Sequence, residues 1–188
     1  MHPRPLNAHI LAGTTFSGFN FTTGQKRRIV EFRTYGGFFP GDDAAIIKFD
    51  SPLEFSDRIK PVDLPPQGFL LEHAAQCTTT GWGLNQNSPL QELPVTLQAC
   101  NNKKFEYGNN FCAAGTAGSI CSGDSGGPFV CRAADGRQVQ QGIVSYSDPS
   151  CGDHPATYSR VSFYSDWIVA TAQKLSSLSP VQRAAGPL

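Results

Sequence analysis

The sequence predicts an all-β fold. Apolar runs are short and separated by turn-forming residues, 19 glycines and 14 prolines interrupt 188 residues, and charged residues make up only 16%. A helical chain of this size needs longer amphipathic repeats and carries fewer breakers. The runs at 9–12, 28–32, 44–49 and 141–146 each have the length of a strand. Lys26-Arg27-Arg28 reads as the solvated start of the strand that continues through Ile29, Val30 and Phe32, not as a recognition patch. One helix is expected. From Phe163, with Ser162 or Ser165 as its cap, the apolar positions Trp167, Ile168, Ala172 and Leu175 fall on one face. Residues 176–188 are rich in Ser, Pro and Gly and read as a loose tail. Val62-Asp63-Leu64-Pro65-Pro66 is the best linker and divides the chain into residues 1–65 and 66–175.

A formal net charge of zero gives no reason to expect nucleic acid or an anionic membrane as partner. No apolar run approaches the length of a membrane span. Six cysteines, an even count, suggest oxidising surroundings. The opening Met1-His2-Pro3-Arg4-Pro5 has no signal-peptide h-region, so an extracellular location rests on the cysteines. The cysteines at 77, 100, 112, 121, 131 and 151 contain no Cys-x-x-Cys knuckle, which argues against zinc. Fifteen disulfide pairings remain open from the sequence. Asn20-Phe21-Thr22 is a possible glycosylation sequon. Nothing in the residues specifies an oligomeric state or calls for a cofactor.

The chemistry-bearing segment is Gly123-Asp124-Ser125-Gly126-Gly127-Pro128. Glycine on either side of Ser125 opens backbone conformations closed to residues with a Cβ, and lets a substrate carbonyl come close to the main chain. That is what an activated serine beside an oxyanion hole needs. The segment resembles the nucleophile loop of the trypsin and chymotrypsin family. Asp42-Asp43-Ala44-Ala45-Ile46-Ile47-Lys48 is similar to the family's segment carrying the triad aspartate. Cys77-Thr78-Thr79-Thr80-Gly81-Trp82-Gly83, Phe111-Cys112-Ala113-Ala114-Gly115, Ile143-Val144-Ser145-Tyr146 and Pro155-Ala156-Thr157-Tyr158-Ser159-Arg160-Val161 follow in the family's order.

The resemblance implies two β-barrels with a cleft between them, the first barrel incomplete here, and a C-terminal helix. It implies serine endopeptidase chemistry on a polypeptide substrate, with a protease inhibitor as the other natural partner. Asp43 and Ser125 match the outer members of the triad, and the amides of Gly123 and Ser125 the oxyanion hole. Cys77 is expected to pair with Cys131, Cys100 with Cys112, and Cys121 with Cys151. Ser119 matches the base of the specificity pocket, Ile120 lies beside it, Ser145, Tyr146 and Ser147 run along one wall, and Ala156 stands opposite. Relatives that cleave after arginine carry an aspartate at that base, so Ser119 disfavours arginine. Chymotrypsin-like pockets keep glycine where Ser147 and Ala156 stand, and Tyr146 replaces the usual wall tryptophan. The bulk of Ile120 and the methyl of Ala156 narrow the slot, which favours small or medium apolar side chains. The acidic loop that binds calcium in some relatives has no counterpart between Gly13 and Arg28, so no calcium is expected.

Two departures matter. The family's histidine stands in a Thr/Ser-Ala-Ala-His-Cys context that this sequence lacks; its histidines are His2, His9, His73 and His154. His2 precedes Asp43 by 41 positions but has neither the alanines before it nor the cysteine after it. His9 reads as strand, His73 falls near the linker, and His154 near the pocket rim. Second, relatives pair an N-terminal ammonium with the aspartate before the serine, Asp124 here, and no Ile/Val-Val-Gly-Gly start is present. Without that cation Asp124 is expected to turn outward or take up a proton, leaving a zymogen-like loop. The expectation is a chain that is the later part of a longer protease, inactive by itself. The alternatives are a noncatalytic protease-like binding protein, or a half-barrel completed by a separate polypeptide.

Overall fold

In the computed structural model, residues 7–17, 24–36, 41–71, 75–84, 88–101, 108–148, 150–151 and 154–177 are described. His2, His73 and the sequon at Asn20 lie outside them, as do residues 178–188. The fold among the described residues is mostly β, with one helix at its C-terminal end.

Three antiparallel strands, β1 (His9–Ala12), β2 (Gln25–Thr34) and β3 (Ala45–Phe49), form an open sheet in the order β1-β2-β3. Strand β2 starts at Gln25, so the basic triplet is strand-borne: Arg27 Nε donates to the Pro52 carbonyl at 2.9 Å and Arg28 pairs with Asp50 at 3.6 Å. Six further strands close into a barrel. They are β4 (Cys77–Gly81), β5 (Gln91–Gln98), β6 (Asn110–Gly115), β7 (Pro128–Arg132), β8 (Gln138–Tyr146) and β9 (Ala156–Arg160), in the order β4-β5-β6-β9-β8-β7. Closure comes from β7 pairing back onto β4, where Cys77 stands directly opposite Cys131 and is bonded to it.

Alternation along the strands sends Val95, Phe111, Ala113, Phe129, Val144, Ala156 and Tyr158 into the barrel's core. The rings of Phe111, Phe129 and Tyr158 pack mutually, with centroids 4.8 to 5.3 Å apart. Phe129 and Tyr158 are fully buried, and burying such a side chain contributes about 1.5–3 kcal/mol.

The helix α1 (Val161–Ser177) follows β9 without an intervening residue. It therefore starts before Phe163, and neither Ser162 nor Ser165 caps it. Both serines instead turn their hydroxyls onto the connection between the halves: Ser162 donates to the Phe69 carbonyl at 2.6 Å, and Ser165 to the Pro65 carbonyl at 2.7 Å. The expected apolar face is only partly buried, with Leu175 inside and Ala172 exposed. Ser176 and Ser177 belong to the helix, not to a tail.

The connection is not a slack tether. Asp63 bridges Val139 in parallel, and the Gln140 amide donates to the Asp63 carbonyl at 2.9 Å. The Arg137 guanidinium reaches the carboxylates of Asp63 and Asp135 at 2.7 Å each. Helix α1 also reaches the open sheet. Lys48 Nζ donates to the Leu175 carbonyl, and the Tyr35 ring stands edge-on to Tyr164 and Trp167 at 5.0 and 5.3 Å.

Candidate active site

The Ser125 loop is fastened to β8 of the barrel by a reciprocal pair of hydrogen bonds. The Gly126 amide donates to the Val144 carbonyl at 2.8 Å, and the Val144 amide donates back to the Gly127 carbonyl at 2.9 Å. Ser125 itself is exposed, and no hydrogen bond engages its hydroxyl among the described residues. The Asp124 amide turns inward to the Cys121 carbonyl at 3.1 Å, while the amides of Gly123 and Ser125 donate to no described group. An exposed hydroxyl thus lies next to two free N–H donors, the inventory for stabilising charge on a carbonyl oxygen. Gly123 takes φ +96°, and a Cβ there would stand 2.3 Å from the Gly83 carbonyl oxygen. Only glycine fits this turn.

The next residue along β8 joins this loop to Asp43. The ladder between β8 and β9 shifts register between Val144 and Tyr146, a bulge that re-aims the residue between them. That residue is Ser145, whose Oγ donates to Asp43 Oδ2 at 2.7 Å. Ser159 Oγ holds the Asp43 carbonyl at 2.8 Å. The neighbouring Asp42 is fixed by Asn109 Nδ2, which reaches its Oδ1 at 2.9 Å and the Gly41 carbonyl at 2.7 Å. Asp43, from the N-terminal half, is thereby fastened to β8, the same strand to which the nucleophile loop is hydrogen-bonded. Sequence reasoning placed Ser145 on a pocket wall and missed this second contact; Ser159 and Asn109 it missed altogether. No local pattern marks them, because their partners are 116 and 67 to 68 positions away.

Asp124 does not make the outward turn expected of it. Its carboxylate faces inward, accepting from the Gly83 amide at 2.8 Å and the Cys121 amide at 3.1 Å. Two N–H dipoles supply what a cation was expected to supply, so the side chain neither turns outward nor stands without partners. The space it fills exists because position 81 is glycine: a Cβ there would lie 2.0 Å from Asp124 Oδ1.

Around the specificity residues, Ser119 Oγ donates to the Cys151 carbonyl, and Cys151 is bonded to Cys121. Ile120, 6% exposed, and Ala156 belong to the barrel's apolar cluster. Tyr146 is half exposed, and Ser147 is partly buried. The third disulfide joins Cys100 to Cys112. Of the described histidines, His9 lies in β1 opposite Arg28, and His154 Nδ1 stands 3.2 Å from the Asn101 side chain. Neither is bonded to Asp43 or Ser125. No group of three His, Cys, Asp or Glu side chains gathers to hold a metal ion among the described residues. No described helix is long and apolar enough to cross a membrane.

Comparison with known proteins agrees with this arrangement. Chymotrypsin-C of Rattus norvegicus is 38% identical over 146 residues, covering 69% of this chain and 54% of that protein. Tryptase of Mus musculus is 34% identical over 151 residues, covering 68% and 55% respectively. Ovochymase of Halocynthia roretzi is 35% identical over 156 residues, which is 74% of this chain and 10% of that protein. The chain spans about half the length of the chymotrypsin-C and tryptase it matches. The family model for trypsin matches residues 7–168, a stretch that takes in both the open sheet with Asp43 and the barrel with Ser125, and the chain belongs to the trypsin family.

Proposed function

We propose that this chain supplies the nucleophile, the orienting aspartate and the oxyanion donors of a secreted serine endopeptidase. The observation that carries the reading is the continuity from Ser125 through Gly126 and Val144 to Ser145 and Asp43. Ser125 attacks the scissile carbonyl, the amides of Gly123 and Ser125 receive the developing oxyanion, and Asp43 orients a histidine that takes the serine proton. That histidine is neither His9 nor His154, and His2 and His73 lack the family's Ala-Ala-His-Cys context, so we take a polypeptide of residues 1–188 alone to be inactive or nearly so. Loss of one triad member leaves only about 10³–10⁴-fold catalysis over water.

The pocket favours small or medium apolar side chains. Ser119 brings no charge to its base, and its hydroxyl is committed to the Cys151 carbonyl. A substrate arginine would enter without a counter-charge, whereas an added methylene changes discrimination by only about 1–3 kcal/mol, so the preference is broad. Polypeptides are the substrates, and protease inhibitors the natural blocking partners. The disulfides support an extracellular setting.

Labelling with a fluorophosphonate probe tests the assignment. Residues 1–188 should label no faster than their Ser125→Ala variant, whereas a longer product of the same gene carrying an Ala-Ala-His-Cys segment should label at Ser125. Strong labelling of the 188-residue polypeptide overturns the missing base. If the longer product bears that segment and still fails to label, the second reading takes over: a noncatalytic protease-like protein whose cleft binds a ligand.

A further inference from the structure

Strand β3 forms one edge of the open sheet, so only one of its two sides is paired. The Tyr35 amide donates to the Ala44 carbonyl and the Asp50 amide to the Arg28 carbonyl, both at 3.0 Å. Main-chain groups alternate sides along a strand, so these two bonds direct Ile46 and Lys48 toward β2 and turn the N–H and C=O groups of Ala45, Ile47 and Phe49 away from it. No described group takes up those outward donors and acceptors. Ala45 is exposed and Ile47 is 42% exposed, so the edge opens to solvent.

Edges of this kind are ordinarily blunted by a proline or a charged side chain, lysine above all. Strand β3 has no proline and a single charge, Lys48. That lysine is withdrawn from guard: its Nζ donates to the Leu175 carbonyl in the last turn of α1. The face that Ile47 shares with its β2 partner Phe32 is apolar, and Phe32 is only partly buried. The chain carries no formal net charge, so two copies meet without long-range repulsion.

We propose that the β3 edge pairs with the β3 edge of a second copy of this chain, antiparallel and about a two-fold axis at Ile47. In that register Ala45 of one copy lies opposite Phe49 of the other and Ile47 opposite Ile47, so every outward N–H meets a C=O. Lys48 then faces Ile46 across the junction. Sliding the register by two residues in either direction leaves one outward residue of each strand unpaired, and in one direction it also sets Lys48 against Lys48. The two Ile47 side chains, each with Phe32 behind it, continue one apolar stripe from sheet to sheet. An edge of 5 residues is small beside the roughly 1,200–2,000 Å² buried in a standard interface, so the pair is weak, with a dissociation constant on the order of 100 µM. The pairing is independent of the chemistry at Ser125.

Sedimentation velocity and amide hydrogen exchange on residues 1–188 test it between about 5 and 500 µM. The sedimentation coefficient should rise across that range. The amides of Ala45, Ile47 and Phe49 should gain protection with it, whereas those of Ile46 and Lys48, already bonded within the sheet, should not change. Ile47→Lys and Ile47→Glu each set like charges opposite each other on the axis, and each variant alone should associate about tenfold more weakly. An equimolar mixture of the two should associate more tightly than either, a recovery that also shows both variants to be folded. A sedimentation coefficient flat with concentration, or a mixture no better than its components, overturns the pairing. So does full protection of the three outward amides at 5 µM, which would mean that the edge is filled from within the same chain.

Discussion

Tyr158 sits at the centre of the barrel with its ring fully buried and its hydroxyl without a hydrogen-bond partner among the described residues. Thr79, the nearest candidate, donates its own hydroxyl to the Pro128 carbonyl at 2.8 Å and stands outside hydrogen-bond geometry for the phenol. Burial pushes the Tyr158 phenol well above its ordinary range, and burial likewise pushes Tyr164 up to about 12 from 10.0. A group whose folded pKa is raised contributes stability that is full below its unfolded value and lost as pH rises through the folded one. Stability should therefore hold to about pH 10 and decline across roughly pH 10–12. Tyr158→Phe removes the orphaned hydroxyl. It should leave stability at pH 8 unchanged or raise it by about 1 kcal/mol, and flatten the alkaline decline. Urea unfolding at pH 8 and pH 11 measures both, and a loss beyond about 1 kcal/mol at pH 8 would mean the hydroxyl is engaged after all. Gly81 offers a second residue-scale test, because alanine there collides with the Asp124 carboxylate. Gly81→Ala should cost about 3 kcal/mol in denaturant unfolding, the loss of hydrogen bonds to a charged group. In an Asp124→Ala background that cost should vanish, which a double-mutant cycle reads directly.

At the scale of elements, the β8–β9 bulge turns a wall residue into the donor for Asp43. Ser145→Ala should destabilise the protein by about 1.5–3 kcal/mol, since it removes a hydrogen bond to a carboxylate. The same change at Ser147, whose hydroxyl makes no such bond among the described residues, should cost under about 0.5 kcal/mol. Comparable losses at the two positions would show that Ser145 does not hold Asp43. The strands at 9–12, 44–49 and 141–146 were legible in sequence because their apolar runs are bounded by turn residues within a few positions. The helix was legible as an element but not at its start. Ser162 and Ser165 have the chemistry of caps, and only the direct passage from β9 into α1 shows that their hydroxyls serve Phe69 and Pro65 instead. The nucleophile turn was readable because its glycines are adjacent in the chain. Asn109 and Ser159 were not, since their partners lie in the 41–43 segment, brought near only by tertiary packing. Asp124 was misread for a related reason: the amides of Gly83 and Cys121 that receive it are main-chain groups, which carry no signature in the residue alphabet.

For the whole molecule, three disulfides tie the barrel and the loops around it, closing spans of 54, 12 and 30 positions. Because the stabilisation from constraining the unfolded chain grows with loop length, replacing Cys77 and Cys131 should cost about 4 kcal/mol, against about 3 for Cys100 and Cys112. Denaturant titration of the two double-alanine variants gives the order, and a reversed order would mean that native packing outweighs loop entropy. Asp43 and Ser125 reach each other only through contacts that cross from the open sheet to the barrel. The Ser145–Asp43 bond therefore acts as a gauge of whether the two halves are seated. Any agent that loosens the sheet from helix α1, even while the barrel and its disulfides stay intact, should leave the Ser125 loop fastened to β8 and Asp43 parted from Ser145: a protein still folded by most measures, with the two residues of its proposed triad out of alignment.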